Sequence, residues 1–187
     1  MSYELYYAER SAAMGVRVLL EEIGAPYKLI WTDISSRSTR ASQLLTLNPN
    51  GWIPVLQWEE GAIYEAGAIT VFLCDHHSSS RLAPNTTDPK RGAFPQWLFF
   101  SSSLQTAYQM TYYAHCFCSS KKDENSVIRR SRARLKELWQ VVDDAIGNQD
   151  WILGDRFCAA DIYLFMLTTW LSGPHQHPTI NLFGNVK

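Results

Sequence analysis

The sequence predicts two domains, an α/β domain at residues 1–79 and an all-α domain at residues 90–187, joined by a linker at residues 80–89. In the first domain, short β-prone runs alternate with helical patterns in the order βαβαββα. Residues 76–89 are rich in Ser, Pro, Asn, Thr and Asp, a composition typical of loops. After residue 89 only helical spacing recurs. This order predicts a four-stranded mixed sheet covered by three helices, followed by a helical bundle.

Composition sets the class of protein. The chain has 187 residues, 46% of them hydrophobic, which is enough to bury an ordinary protein core. Its net charge of −1 gives no electrostatic reason to expect nucleic acid or an anionic membrane as a partner. The four cysteines show no CxxC pair or disulfide framework, which favours a reducing compartment. Residues 1–4 lack the start of a secretory signal, so we expect a cytoplasmic protein.

The first strand is predicted at residues 5–7 and the first helix after Ser11, whose hydroxyl can accept from amides two or three positions on. The helix buries apolar residues at i, i+3, i+4 and i+7, and it ends at Gly24: Val16, Leu19, Leu20 and Ile23. A second strand is predicted at residues 27–34, parallel to the first. The polar run 35–42 then leads into a short helix ending at Leu47.

The stretch from Asn48 to Asp75 predicts a turn, a β-hairpin and a helix. Residues 53–58 form the first strand, 59–61 the hairpin turn and 62–64 the returning strand, and helical spacing starts at Glu65. Pro54 cannot donate a hydrogen bond to a sheet, so it belongs at a sheet edge or marks a special peptide bond such as a cis bond. The backbone of Ile53 is then free to pair with something outside the sheet.

Two motifs in this stretch resemble the glutathione transferase family. Residues 48–56 read NPNGWIPVL and residues 65–73 read EAGAITVFL, close to the family's N-P-x-G-x-V-P-x-L and E-S-x-A-I-x-x-Y-L. The order and spacing agree, but Ala66 stands where the family has serine. The resemblance implies a thioredoxin-like first domain, a helical second domain and a homodimer.

The resemblance extends into the second domain, where helices are predicted at residues 90–118, 123–146 and 161–171. Residues 154–161 resemble the family's G-x-x-F-S/T-x-A-D, in which a hydroxyl and an aspartate cap a central helix. Here Cys158 replaces the hydroxyl, which should cost about 1 kcal/mol of capping energy beside Asp161. Residues 177–182 resemble the approach to the family's last helix, and we expect that helix to be missing.

The resemblance implies an enzyme that activates the thiol of glutathione and conjugates it to a small hydrophobic electrophile, a detoxification reaction. Glutathione is then a co-substrate, and no cofactor is needed. Lowering a thiol pKa from about 8.5 by two units takes about 2.7 kcal/mol, which one hydroxyl and a helix N-terminus can supply. Ser11 is the first candidate for this role and Tyr7 is the alternative. Each residue also has a purely structural explanation, which is helix capping for Ser11 and strand packing for Tyr7. Arg10 could add positive potential at this turn, and a solvated side chain explains it equally well.

The implied glutathione site is largely main chain. Ile53, beside Pro54, would pair with the cysteinyl residue as an added strand. Glu65 would accept from the γ-glutamyl amino group, and the Ala66 amide would donate to the γ-glutamyl carboxylate. The missing hydroxyl at Ala66 is expected to weaken binding about ten- to a hundredfold. Trp52 stands where many members have Lys or Gln near the glycyl carboxylate.

The electrophile is expected near Gln105, Tyr108, Tyr112 and Tyr113 on the first helix of the second domain, although core packing explains each of them equally well. The spacing of the histidines, including His175 and His177, predicts no metal site. An alternative function is that of a catalytically weak or inactive transferase-like protein that binds or scaffolds, which Ala66, Trp52 and the short C-terminus favour. A third, thiol-disulfide oxidoreduction, needs a cysteine at the first turn, where the sequence has none.

Overall fold

A computed structural model describes residues 1–172 and 183–186, which divide into two compact units, Met1–Arg91 and Gly92–Lys187. His175, His177 and the predicted approach to a last helix at residues 177–182 lie outside the described residues. Residues 80–89, predicted as a linker, group with the first unit. Arg91 holds this segment there, because its guanidinium donates to the carbonyl of Pro84 at 3.0 Å and to the carboxylate of Asp75 at 3.1 Å.

The first unit contains the predicted four-stranded mixed sheet. Its strands are β1 (Tyr3–Tyr7), β2 (Tyr27–Trp31), β3 (Val55–Trp58) and β4 (Gly61–Tyr64), in the spatial order β2-β1-β3-β4. The β1 and β2 strands are parallel, and β3 runs antiparallel to both β1 and β4. This is the thioredoxin-like arrangement, so the predicted fold of the first domain is confirmed.

Three helices accompany the sheet: α1 (Ala13–Ile23), α2 (Ser42–Leu47) and α3 (Ala66–His76). The predicted stripe on α1 is buried, and the helix ends at Gly24, whose φ of 71° suits glycine. The β2 strand ends at Trp31, earlier than predicted, because Asp33 accepts the Ser35 amide at 2.8 Å and turns the chain.

The start of β3 differs from the sequence prediction. The strand begins at Val55, and the Ile53–Pro54 peptide bond before it is cis. The special peptide bond is therefore confirmed, and the edge position is wrong, because β3 lies between β1 and β4. Placing Ile53 within the strand was also wrong, since a proline without an amide hydrogen cannot take a ladder position in an internal strand.

The second unit is helical, as predicted, with α4 (Ala93–Tyr112), α5 (Glu124–Ile146) and α6 (Ala159–Thr169). Its core joins the three helices through Tyr108 of α4. The Trp139 indole of α5 donates to the Tyr108 hydroxyl at 3.0 Å, and that hydroxyl donates to the Leu167 carbonyl of α6 at 3.1 Å. Helix α4 ends before residue 118, because Tyr113 leaves helical backbone geometry with φ −120° and ψ 41°.

Neither a membrane span nor a metal cluster is found in the part of the chain that the structure describes. Within residues 1–172 and 183–186, no helix is long and apolar enough to cross a bilayer. Over the same residues, no three His, Cys, Asp or Glu side chains gather as metal ligands would.

The predicted cap at the start of α6 is confirmed. The Asp161 carboxylate accepts from the Cys158 amide at 2.9 Å and from the Ile152 amide at 2.8 Å, and the Cys158 sulfur accepts from the Asp161 amide in return. Burial, together with the Asp161 charge, raises the pKa of Cys158 to about 12. The sulfur therefore caps α6 as a neutral thiol, a weaker acceptor than a hydroxyl.

Replacing Cys158 by serine is expected to raise the free energy of unfolding by about 0.5–1 kcal/mol, because a hydroxyl accepts the Asp161 amide better than a thiol does. Chemical denaturation measures the change. Cys74→Ser is the matched control: this thiol is buried but caps nothing, so burial of the new hydroxyl is expected to bring no gain. A Cys158→Ser protein no more stable than the parent would contradict the capping role.

Candidate functional site

Ser11 lies at the first turn, immediately before α1. Its buried hydroxyl donates to the carbonyl of Ala8 at 2.6 Å and accepts the amide of Ala13 at 3.3 Å. The predicted bond to an amide two positions on is therefore present. Ala12 takes the formal cap position but already has helical backbone angles, with φ −62° and ψ −15°.

The direction of the Ser11 O–H bond determines what this hydroxyl must do to stabilise a thiolate. A hydroxyl has a single proton to donate, and in Ser11 that proton is directed to Ala8. To stabilise a thiolate, the O–H must turn from the Ala8 carbonyl toward the sulfur, at the cost of one intramolecular hydrogen bond, about 1 kcal/mol. The bond accepted from Ala13 can remain during this rotation.

Tyr7, the alternative candidate, is half-buried at the end of β1. The guanidinium carbon of Arg17 lies 5.7 Å from the centre of its ring, a cation–π contact. Hydrogen bonds to Tyr27 and Tyr7 raise the pKa of Arg17. The Tyr7 phenol thus has a partner on α1. Arg10, the third candidate at this turn, is exposed and has a left-handed backbone conformation, with φ 55°.

Strand register brings Ile53 and Pro54 next to the start of α3. Val55 of β3 pairs with Tyr64 of β4, so Pro54 and Glu65 each lie one residue beyond that pair. The Ile53 side chain is buried in the core beside Val55. Its amide and carbonyl take part in none of the hydrogen bonds among residues 1–172 and 183–186. The main chain of Ile53 is therefore available beside Glu65.

Glu65 has an unusual backbone and an exposed carboxylate. Its φ is 69° and its ψ is 113°, a combination that costs a residue with a side chain about 1–3 kcal/mol. No ion pair or hydrogen bond engages its carboxylate in the described part of the chain. Helix α3 begins at the next residue, Ala66, so its first amides have no partner within the helix. An acceptor and several donors thus lie side by side.

Trp52 is 49% exposed, immediately before Ile53. Its carbonyl accepts from the side-chain amide of Asn48 at 2.8 Å, which fixes the turn that leads to the cis bond. The indole is therefore presented to solvent by an ordered turn.

Arg40 positions the same segment, and the sequence reasoning missed it. Its guanidinium donates to main-chain carbonyls on both sides of α2: those of Gly51 at 2.9 Å, Ser36 at 2.8 Å, Ile34 at 3.2 Å, and Asp33. Those carbonyls belong to residues of ordinary types, so no sequence pattern marks them. An arginine in a polar loop looks solvated, whereas this one secures the turn before Trp52.

The candidates on α4 differ in accessibility. Tyr108 has no exposed surface, and burial raises the pKa of its hydroxyl above the usual value. We therefore assign Tyr108 to the core of the second unit and leave it out of the proposed site. Gln105 and Tyr112 are half-buried, the Tyr112 hydroxyl donating to the Trp170 carbonyl at 2.7 Å, and Tyr113 is exposed.

Known proteins resemble this chain in sequence and in structure. Residues 1–74 match the family model for the glutathione S-transferase N-terminal domain, and residues 106–178 match that for the C-terminal domain. Glutathione S-transferase GST-4.5 of Xanthomonas campestris pv. campestris is 24% identical over 172 residues, which cover 89% of this chain and 81% of that protein. Disulfide-bond oxidoreductase YfcG of Escherichia coli is 24% identical over 167 residues, covering 85% and 75%.

A solved structure shares the fold over nearly the whole chain. It is a glutathione transferase homologue from Sulfitobacter with bound glutathione, and it aligns with a TM-score of 0.88. The alignment covers 99% of this chain and 88% of that one, at 20% sequence identity.

Proposed function

Because the chain belongs to the glutathione S-transferase family, we propose that it binds glutathione in its first unit, activates the thiol and conjugates it to a small hydrophobic electrophile. The observation that carries this proposal is the available main chain of Ile53, which register places next to Glu65 and the first amides of α3. The bound glutathione of the Sulfitobacter homologue supports the choice of ligand.

The proposed binding mode matches each group of glutathione to a group of the first unit. The amide and carbonyl of Ile53 pair with the cysteinyl residue, as a sheet edge pairs with an added strand. The exposed carboxylate of Glu65 accepts from the γ-glutamyl ammonium group. The first amides of α3, that of Ala66 foremost, donate to the γ-glutamyl carboxylate, which the positive end of the helix also favours.

Activation of the thiol follows from the first turn. On binding, the Ser11 O–H turns from the Ala8 carbonyl to the sulfur, and the N-terminus of α1 adds positive potential. The thiol proton passes to solvent. The thiolate then attacks the electrophilic carbon, forming a carbon–sulfur bond as a halide or similar group departs.

The remaining parts of the proposal concern the electrophile and the assembly. Gln105 and Tyr112 stay candidates for contact with the electrophile, since both keep some exposure. We also propose that the protein acts in the cytoplasm and that it forms a homodimer. Sedimentation tests the homodimer.

Two assays test this function together: retention on immobilised glutathione, and turnover of glutathione with chlorodinitrobenzene, a general aryl halide. We expect retention that free glutathione reverses, and formation of the conjugate with loss of chloride. A protein that is not retained and does not turn over would contradict the proposal.

A binding or scaffolding protein without turnover is the second candidate. It is favoured by the direction of the Ser11 proton, which serves Ala8 in this structure, and by the lack of a hydroxyl at Ala66. Retention without turnover would support it. Thiol-disulfide oxidoreduction at the first turn has no support, because it needs a cysteine there and residues 8–13 contain none.

Restoring the family's hydroxyl gives a gain-of-binding prediction. Ala66→Ser is expected to tighten glutathione binding about tenfold, since a hydrogen bond to a charged carboxylate contributes about 1.5–3 kcal/mol before the cost of ordering the side chain. Calorimetric titration measures the change. Ala68→Ser, on an exposed position of the same helix, is the matched control and should bind like the parent. If the Ala66→Ser variant and the parent bind glutathione with equal affinity, the γ-glutamyl carboxylate does not bind at the start of α3.

A further inference from the structure

The four cysteines fall into two kinds, and all are free thiols. Cys74 and Cys158 are buried, and burial raises the pKa of each to about 12. Neither can supply a thiolate near neutral pH. Cys116 is exposed and Cys118 is half-buried, so these two thiols alone among the four are open to reagents in solution.

Cys116 and Cys118 lie in the connection between α4 and α5, separated by one residue. Cys116 ends a short 3₁₀ turn, Ala114–Cys116, in which its amide donates to the Tyr113 carbonyl at 2.8 Å. Phe117 between them has φ −118° and ψ 11°, so the chain bends there instead of extending.

This bend suits a disulfide. Residues two apart are separated by about 7 Å between Cα atoms when fully extended and by less when the chain bends. A disulfide needs a Cα separation of about 4.4–6.8 Å. The bend at Phe117 therefore brings the two Cα atoms toward the separation that a disulfide requires.

We propose that Cys116 and Cys118 of the second unit form a redox-active dithiol that exchanges with glutathione disulfide. Cys116 is the attacking thiol because it is the more exposed, and Cys118 resolves the intermediate. This activity does not depend on Ser11 or Glu65.

The exchange balances in two steps. The Cys116 thiolate attacks one sulfur of glutathione disulfide, forming a mixed disulfide and releasing one glutathione. The Cys118 thiolate then attacks the Cys116 sulfur, forming the protein disulfide and releasing the second glutathione. The protein dithiol loses two hydrogen atoms, and the glutathione disulfide gains them as two thiols.

The predicted disulfide should be easily reduced. It closes a loop of a single intervening residue, so it removes little entropy from the unfolded chain. Exposed disulfides of this kind have the more oxidising potentials of labile or catalytic bonds. An excess of reduced glutathione is therefore expected to return the pair to the dithiol.

The test treats the reduced protein with glutathione disulfide, traps free thiols by alkylation and analyses tryptic peptides by mass. Trypsin releases residues 92–121 as one peptide that contains both cysteines and neither buried one. For the parent we expect two glutathiones released per chain and a peptide that has lost two hydrogen atoms. For Cys118→Ser we expect one glutathione released and a stable glutathionyl group on Cys116.

Two controls separate this proposal from its neighbours. Cys158→Ser keeps the pair and should react like the parent. Glu65→Gln weakens the proposed glutathione site of the first unit, and its exchange with glutathione disulfide should also match that of the parent. Failure of the dithiol proposal can therefore be told apart from failure of the proposed glutathione site. A parent peptide that stays alkylated, or that accumulates glutathionyl groups without forming the internal disulfide, would overturn the proposal. Thermal unfolding verifies that each variant is folded.

Discussion

Replacing Glu65 by glutamine is expected to weaken glutathione binding about ten- to a hundredfold, which corresponds to the 1.5–3 kcal/mol of a hydrogen bond to a charged group. Glutamine keeps the shape of the side chain and one acceptor oxygen but removes the charge that attracts the γ-glutamyl ammonium group. Calorimetric titration measures the loss. Glu59→Gln, an exposed change in the adjacent hairpin turn, should leave the affinity unchanged.

Glu65→Gly separates binding from folding. Because Glu65 has φ 69° and ψ 113°, glycine should relieve about 1 kcal/mol or more of backbone strain. We expect a higher free energy of unfolding together with the loss of glutathione binding. A stabilised variant that still binds glutathione like the parent would show that the Glu65 side chain is not needed for binding.

Ser11→Ala is expected to move the pH profile of kcat/KM as well as lower its value near neutrality. With glutathione saturating, kcat/KM for the electrophile rises with pH as the bound thiol loses its proton, so the profile reports the pKa of that thiol. Without the hydroxyl, that pKa should rise by about one to two units toward 8.5, with a loss of about ten- to a hundredfold at neutral pH. Above the new pKa the two rates should converge.

A merely structural Ser11 would behave otherwise. If it only caps α1, Ser11→Ala should lower stability by about 1 kcal/mol and leave the pH profile in place. Ser11→Thr keeps a hydroxyl and should restore the parent profile. If Tyr7→Phe moves the profile and Ser11→Ala does not, the activating role passes to Tyr7.

The order of elements could be predicted because it rests on local periodicity. The α1 stripe, the helical second unit and the β1–β2 parallel pair all follow from short-range patterns. Pro54 could be identified as special because it lacks an amide hydrogen. The start of β3 at Val55 could not, since it depends on which strands flank β3 in space.

The candidate site was predictable only in part. Glu65 and Ala66 could be located from their motif, but the positive φ of Glu65 is fixed by how β4 enters α3. The direction of the Ser11 proton depends on the distance to Ala8, which the sequence does not encode locally. Arg40 was missed because it binds main-chain carbonyls, and these are common to every residue.

Crystallography of the glutathione complex tests the central claim most directly. We predict that the cysteinyl residue pairs with the main chain of Ile53, that the γ-glutamyl ammonium group contacts Glu65, and that its carboxylate accepts the Ala66 amide. Glutathione bound elsewhere, or a position beside Ile53 filled by the protein's own side chains, would contradict the account.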